Sequence, residues 1–220
     1  MMKIHIGCGT TILDGFVNMD NSPTLLLSKL PAPVLSFFGR LSLLNRDQLD
    51  FAGVLRSRKK DVIYGDCLRL PFADGSVDFA YSSHVLGWYL GKDQVTKFVQ
   101  ELYRVLRPGG GIRLSYYSLD KILADYQQHR DTIQLMDRMP LGSTEFNFRS
   151  RLKFLLNRNM QNGLPLNVET FSRYLERNGF HEIRSLAAGE TTMEAQWVEG
   201  LDLYQRSAES IYIEARKGDR

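Results

Sequence analysis

At 220 residues, with 43% hydrophobic and 24% charged residues, the chain is long enough to bury one substantial core and short for two comfortable domains. It reads as a single domain, 1–220, with insertions. The formal net charge is only +3, and the largest basic cluster, Arg56, Arg58, Lys59 and Lys60, has no aromatic residues interleaved with it, which argues against nucleic acid as the main partner. No stretch reaches the roughly 18 uninterrupted apolar residues of a membrane span. Two cysteines and a strand-like start without a charged leader lead us to expect a reduced, cytoplasmic protein without a signal peptide.

In chain order, Lys3 to Ile6 reads as a buried strand running into the glycine turn Gly7-Cys8-Gly9, and Phe16 to Met19 as a second short strand closed by Asp20. Leu25 to Leu44 is apolar but broken by Lys29, Pro31, Pro33, Gly39 and Arg40, so it is not one continuous helix. Val62 to Tyr64 is a third strand ending at Gly65-Asp66, and Val77 to Tyr81 a fourth, introduced by a turn at 72–76. Val95, Phe98, Leu102 and Val105 or Leu106 repeat at helical spacing behind the N-cap candidate Asp93, and Pro108-Gly109-Gly110 supplies the stop. Ile112 to Tyr116 is the fifth strand. Val168 to Asn178 is a helix capped by Gly179, and Glu182 to Leu186 and Ser210 to Ala215 are the last strands. This alternation predicts an α/β fold, with a seven-stranded, mainly parallel, Rossmann-like sheet covered by helices on both faces and ligands beyond the strands' carboxyl ends.

Three strand ends carry candidate chemistry. Glycines at 7 and 9 remove β-carbons that would keep a ligand from the main chain, and the amides beyond them are suited to an anion; a turn serving geometry alone is the plainer alternative. Asp20 has the chemistry to accept two hydrogen bonds from a ribose diol, or simply starts a turn. Asp66 with Cys67 suits an adenine edge, the carboxylate accepting the amine and the following amide donating. The sixth position of a dinucleotide fingerprint GxGxxG is occupied by Ile12, which disfavours NAD.

The blocks IHIGCGTTILDGFVNMD (4–20), GDCLRLPFADGSVDFAY (65–81) and ELYRVLRPGG (101–110), in this order, resemble the class I S-adenosylmethionine-dependent methyltransferases. The tail, through Asn178-Gly179-Phe180, Leu201-Asp202 and Ser210 to Lys217, is similar to small bacterial methyltransferases associated with cell-surface sugar assembly. The resemblance implies S-adenosylmethionine as cofactor, with Gly7, Cys8 and Gly9 at its methionyl part, Asp20 at the ribose and Asp66 with Cys67 at the adenine. Ser82, Ser83 and His84 would face the sulfonium and the incoming acceptor. There are three departures. His5 stands where the family has an acidic residue or asparagine. Gly7 and Asp20 are only thirteen positions apart, which predicts a shortened or missing first helix. Val85-Leu86-Gly87-Trp88 replaces a common Leu-Glu-His, so no acid–histidine pair is carried over there.

His84 is the candidate general base, since it follows a core strand into the expected pocket; Tyr116 or Tyr117 beyond strand five is the alternative. The four histidines lack metal-ligand spacing, so no metal site is expected, and Cys8 and Cys67 are read as free thiols. An apolar insertion near 24–60 is a lid, a membrane-surface element or extra core packing. A second near 121–164, with Tyr126, His129, Arg130, Arg149, Arg151 and Arg158, is placed to shape the acceptor pocket and hints at an anionic or sugar-like small molecule. The function expected is methyl transfer to an oxygen or nitrogen of such an acceptor. The competing reading is a non-catalytic member of the fold that binds a protein partner through the apolar insertion.

Overall fold

The computed structural model describes residues 1–41, 44, 46–57, 62–86, 90–138, 166–202 and 207–218. Its seven strands are β1 (Lys3–Ile6), β2 (Val17–Asp20), β3 (Val62–Tyr64), β4 (Val77–Ser83), β5 (Leu106–Tyr117), β6 (Phe180–Leu186) and β7 (Ser210–Lys217). They form one sheet in the order β3-β2-β1-β4-β5-β7-β6, in which β1 to β5 pair in parallel and β7 runs antiparallel to both its neighbours. Strand order reverses between β1 and β4, which is where the crevice of an open α/β sheet lies.

One face of the sheet carries the main core. Ile4, Ile6, Met19, Ala80, Ile112, Leu114, Ile211, Ile213 and Ala215 pack there against α4 (Lys92–Val105) and α7 (Val168–Arg177). Helix α4 presents Val95, Phe98, Val99, Leu102 and Val105 at three- and four-residue intervals, all fully buried. Its cap is Gly91, whose amide donates to Gln94 Oε1 at 2.9 Å; Asp93, the expected cap, lies within the first turn, where a carboxylate favours the positive end of the helix. The helix ends at Val105, and β5 begins at once. Pro108-Gly109-Gly110 does not form a separate loop but lies in β5 opposite a register shift between Val77 and Phe79, because proline biases its predecessor to extended backbone and a bulge absorbs the extra residues. Helix α7 opens on Asn167, which accepts from the Thr170 amide at 2.9 Å, and Gly179 follows it with φ +89°.

The other face is built differently. Residues 7–16 form a loop without a helix, so the first helix is absent. Its place is covered by the β6–β7 connection, in which Met193, Trp197, Val198 and Leu201, around the short α8 (Ala195–Val198), pack on Phe79 and Tyr81 together with Leu13 and Phe16. Phe79 and Trp197 meet at 5.3 Å between ring centres. Beneath this cover runs a buried polar row in strict register across five strands: Asn18, His5, Tyr81, Arg113 and Glu214. Arg113 is fully buried. Its Nη1 donates to Glu214 Oε1 at 2.6 Å, its Nε to Asp202 Oδ1 at 3.0 Å and its Nη2 to the other oxygen of Asp202. Glu214 also accepts from Thr191 Oγ1 and the Thr192 amide, and Asp202 from the Gly189 amide, while Tyr81 Oη donates to Leu201 O. One guanidinium thus bolts both ends of the connection to the sheet.

The apolar insertion folds into α1 (Thr24–Leu27), α2 (Ala32–Arg40) and α3 (Arg46–Ser57), with a small core of Leu35, Leu44 and Ala52 packed by Leu27, Leu30, Phe38 and Leu49. Leu26, Phe37 and Leu41 remain exposed. The second insertion begins with α5 (Leu119–His129) and α6 (Thr132–Arg138); Arg149, Arg151 and Arg158 lie outside the described residues. No helix among the described residues is long and apolar enough to cross a membrane.

Removing one partner from a buried charge cluster strands the others. Arg113→Met is expected to lower the unfolding free energy by about 3–5 kcal/mol, read as a drop in the urea midpoint.

Candidate active site at the strand tips

The carboxyl ends of β1, β2 and β3 are tied together by the chain's own hydrogen bonds. The amides of Gly7 and Cys8 both donate to Met19 O, at 2.9 and 3.1 Å. The Gly9 amide donates to Asp20 Oδ2 at 3.0 Å, the Ser22 amide to Asp20 Oδ1 at 2.7 Å, and the Gly65 amide to Asp20 O at 3.1 Å. A short β1–β2 connection forces this closeness. It also narrows one expectation: the amides of Gly7, Cys8 and Gly9 are not available to an anion, because β2 takes them. What the turn offers instead is space. A β-carbon on Gly9, at φ +48°, would meet no atom within 4 Å, whereas one on Gly7 would run into Val85 Cγ2 at 2.2 Å. The open side of the turn is therefore at Gly9.

Asp20 is partly buried, and that burial raises its carboxyl above the ordinary 3.8, with the Gly9, Ser22 and Asn21 amides opposing the rise. With three amides turned on a carboxylate that offers about four lone-pair sites, Asp20 keeps some capacity to accept further. Asp66 sits exposed at the tip of β3, its Oδ1 accepting from the Leu68 amide at 2.9 Å. Beside it Cys67 is buried, which pushes its thiol up to about 12; Cys8 is raised further by burial and by Asp20, and both thiols are free. Neither is a nucleophile at neutral pH.

Beyond β4 the three expected residues part company. Ser82 is buried and donates to Ile6 O at 3.1 Å, tying β4 to β1 instead of facing the crevice. Ser83 Oγ lies 2.9 Å from Ser115 Oγ and 2.9 Å from His84 Nδ1, while His84 Nε2 is 2.9 Å from Ser210 Oγ. His84 has φ +59°, a strained backbone for a residue with a side chain, and its amide donates to Ser115 O at 2.8 Å. That turn throws the ring from the tip of β4 across β5 to the first residue of β7. Its edge meets Tyr117 at 4.6 Å. His84 is buried, and both its ring nitrogens face serine hydroxyls.

Tyr116 is displaced as an alternative base. It lies inside β5, fully buried on the opposite face against Phe171, and burial raises its hydroxyl far above the usual range. Ser115, Lys121 and Ser210 were missed by sequence reasoning; Ser115 lies beside Ser83 of β4 in the sheet register and Ser210 opens β7 opposite Tyr117, pairings that no local pattern signals. His5, the departure from the family pattern, is buried with Nδ1 3.1 Å from Asn18 Oδ1 and its ring over Tyr81 at 5.0 Å. It belongs to the polar row. Among the described residues no three His, Cys, Asp or Glu side chains cluster as a metal site.

A methyltransferase domain model matches residues 44–114, a segment that contains Asp66, Cys67 and Ser82 to His84 but not Gly7, Gly9 or Asp20. The chain is 45% identical over 67 residues to the biotin biosynthesis bifunctional protein of Cellvibrio japonicus (strain Ueda107), covering 30% of this chain and 13% of the relative. It is 33% identical over 75 residues to malonyl-[acyl-carrier protein] O-methyltransferase 1 of Coxiella burnetii (strain RSA 493 / Nine Mile phase I), covering 34% and 26%. The chain spans about a quarter or less of the length of these curated relatives. A solved S-adenosylmethionine-dependent methyltransferase from Methanosarcina mazei superposes with a TM-score of 0.55 at 14% identity, over 100% of this chain and 93% of that one. One described as a possible histamine N-methyltransferase from Thermotoga maritima gives 0.53 at 15%, over 98% and 82%. The fold is that of the class I methyltransferases.

His5 carries a pH test. Burial pushes its imidazole from 6.5 down to about 4, with the Asn18 bond opposing. The unfolded chain takes up this proton as pH falls through 6.5 and the folded chain resists until about 4, so stability is whole above 6.5 and declines below it. Between pH 6.5 and 5 the expected loss is about 2 kcal/mol, measured by urea unfolding, and His5→Gln should flatten that slope.

Proposed function

We propose that the chain is an S-adenosylmethionine-dependent methyltransferase acting on an oxygen or nitrogen of a small acceptor. The observation that carries this reading is the union of the β1, β2 and β3 tips around Gly9, Asp20 and Asp66, with open space where a Gly9 side chain would stand. The residues fit the cofactor: Asp20 has acceptor lone pairs for a diol, Asp66 an exposed carboxylate for an exocyclic amine, and Gly9 admits a ligand against the main chain. When bound, the cofactor supplies an electrophilic methyl group on a positively charged sulfur. The methyltransferase-domain match and the fold support the same chemistry. The word O-methyltransferase in the Coxiella relative's name favours oxygen as the methylated atom.

The chain's own contribution is alignment and proton removal. Alignment of ideally held reactants is worth on the order of 7 to 11 kcal/mol, the larger share of the acceleration. His84, held between Ser83 and Ser210, is the base that takes up the acceptor's proton through a hydroxyl, a smaller factor of roughly 10²–10⁴ in rate. The tail residues behind the cell-surface-sugar resemblance have packing roles, Asp202 and Glu214 holding Arg113, so they do not argue for a sugar-like acceptor. A second reading has one observation in its favour: the exposed Leu26, Phe37 and Leu41 of the apolar insertion would suit a protein partner or a membrane surface.

Calorimetry decides between them. S-adenosylhomocysteine should bind the wild-type chain, and Gly9→Ala should abolish binding while costing the fold only about 1–2 kcal/mol, since the methyl group meets nothing within 4 Å. Heat neither from the nucleoside nor from S-adenosylmethionine would sink the enzymatic reading. Because Asp20 must be ionised to accept a diol and titrates above 3.8, cofactor affinity should fall with acid at a higher pH than for an ordinary carboxylate, and Asp20→Asn should remove that dependence.

A further inference from the structure

The insertion between β2 and β3 uses its apolar residues in two ways. Leu35, Leu44 and Ala52, with Leu27, Leu30, Phe38 and Leu49, form a core of its own, distinct from the two cores on the sheet. That leaves a second apolar stripe of α2 facing solvent. Val34, Phe37 and the capping residue Leu41 follow one another at three- and four-residue spacing and share an arc of about 60° on the helix. Phe37 is 57% and Leu41 42% exposed, and Val34 is exposed with them. A single apolar residue on a surface is ordinary, whereas a contiguous stripe marks an interaction site.

The same segment concentrates the positive charge of the chain. Residues 24–60 hold seven basic and two acidic residues, a formal charge of +5, while the rest of the chain holds twenty-one and twenty-three, a charge of −2. Lys29, just before α2, and Arg40, in its last turn, bracket the stripe; both are exposed, as is Arg56 in the last turn of α3. Among the described residues no carboxylate pairs with Lys29, Arg40 or Arg56, and Arg46 has only a 3.9 Å contact with the exposed Asp50.

We propose that α2 docks the chain on an anionic lipid surface, with Val34, Phe37 and Leu41 at the acyl boundary and the cations of the segment among the headgroups. At nine residues the helix is too short to span a bilayer, so it lies in the plane of the interface. Lipid is favoured over protein by the way the charge is spread. A bilayer attracts positive charge at any spacing, and long basic side chains reach its headgroups from beside an apolar stripe; a protein interface needs an acid placed opposite each cation. The proposal goes beyond the methyltransferase reading and does not depend on it.

The test is co-sedimentation of the 220-residue chain with large unilamellar vesicles of phosphatidylcholine alone or of equal parts phosphatidylcholine and phosphatidylglycerol. At 0.1 M NaCl the anionic vesicles should bind about tenfold or more tightly. Raising NaCl to 0.5 M should weaken that binding about tenfold, because the screening length falls to roughly 4 Å. Phe37→Ser/Leu41→Ser changes only exposed side chains, so the urea midpoint should hold while vesicle affinity drops about fivefold or more. Lys29→Glu/Arg40→Glu should weaken binding by at least as much. Ile133→Ser/Met136→Ser, which removes a comparable exposed apolar area from α6, should leave it unchanged. If the serine pair on α2 fails to fold, Phe37→Trp replaces it: brominated phosphatidylcholine in the anionic vesicles should quench emission beyond that of the wild-type chain. No binding, equal binding to both vesicles, binding that survives either α2 pair, an equal loss with the α6 pair, or no added quenching overturns the proposal. A lipid-free dimer that Phe37→Ser/Leu41→Ser dissolves in sedimentation velocity gives the stripe to a second copy and overturns it as well.

Discussion

The short path from β1 to β2 governs the rest of this molecule. With Gly7 and Asp20 only thirteen positions apart there is no room for a helix, and the tip of β2 is drawn against the glycine turn until Met19 O and the Asp20 carboxylate absorb its three amides. A buried amide without an acceptor is costly, so these bonds are obligatory and not incidental. They place the acid of β2 at the lip of the turn, and the Gly65 amide, bonded to Asp20 O, brings β3 to the same point. The geometry of the crevice is thus a consequence of a missing element.

The same absence exposes one face of the sheet, and the chain covers it from the other end. The β6–β7 connection crosses over β4 and β5, and its apolar residues replace the stripe that a first helix would bury. Apolar contact alone does not fix its position, since packing is not directional. Arg113 does, by taking carboxylates from both the connection and β7. Buried ion pairs gain little over an apolar core, but they are specific about which partner lies where. His5 fits the same logic. In a row that already contains the paired Arg113 and Glu214, a neutral imidazole bonded to Asn18 adds no further charge, whereas an acid at that position would add an unpaired one.

His84 stands at the tip of β4, and its ring reaches across β5 to Ser210 of β7. Its left-handed backbone is stored strain at the end of β4, and it is what lets the ring lie across the strand tips and not continue along the strand. Four hydroxyl and ring groups, from Ser115 through Ser83 and His84 to Ser210, form a continuous chain there. Such a chain joins β4, β5 and β7 through side chains while keeping the imidazole buried.

The sequence by itself determined the seven strands and the two core helices α4 and α7, because period-2 and period-3.6 apolar patterns are local, and it marked Gly9, Asp20 and Asp66 because each lies at a strand's end; the short helices of the two insertions and α8 it left unread. It also foretold the lost first helix from spacing alone. It did not determine which amides the glycine turn would keep, that Ser82 would face β1 and Ser83 β5, or that His84 would be covered. Nor did it pair Arg113 with Asp202, 89 residues away, or Ser210 with His84, 126 residues away. Those are decided by the order of strands in the sheet and by the register between them. A pattern of residues along the chain carries no information on which strand lies next to which until the sheet has closed.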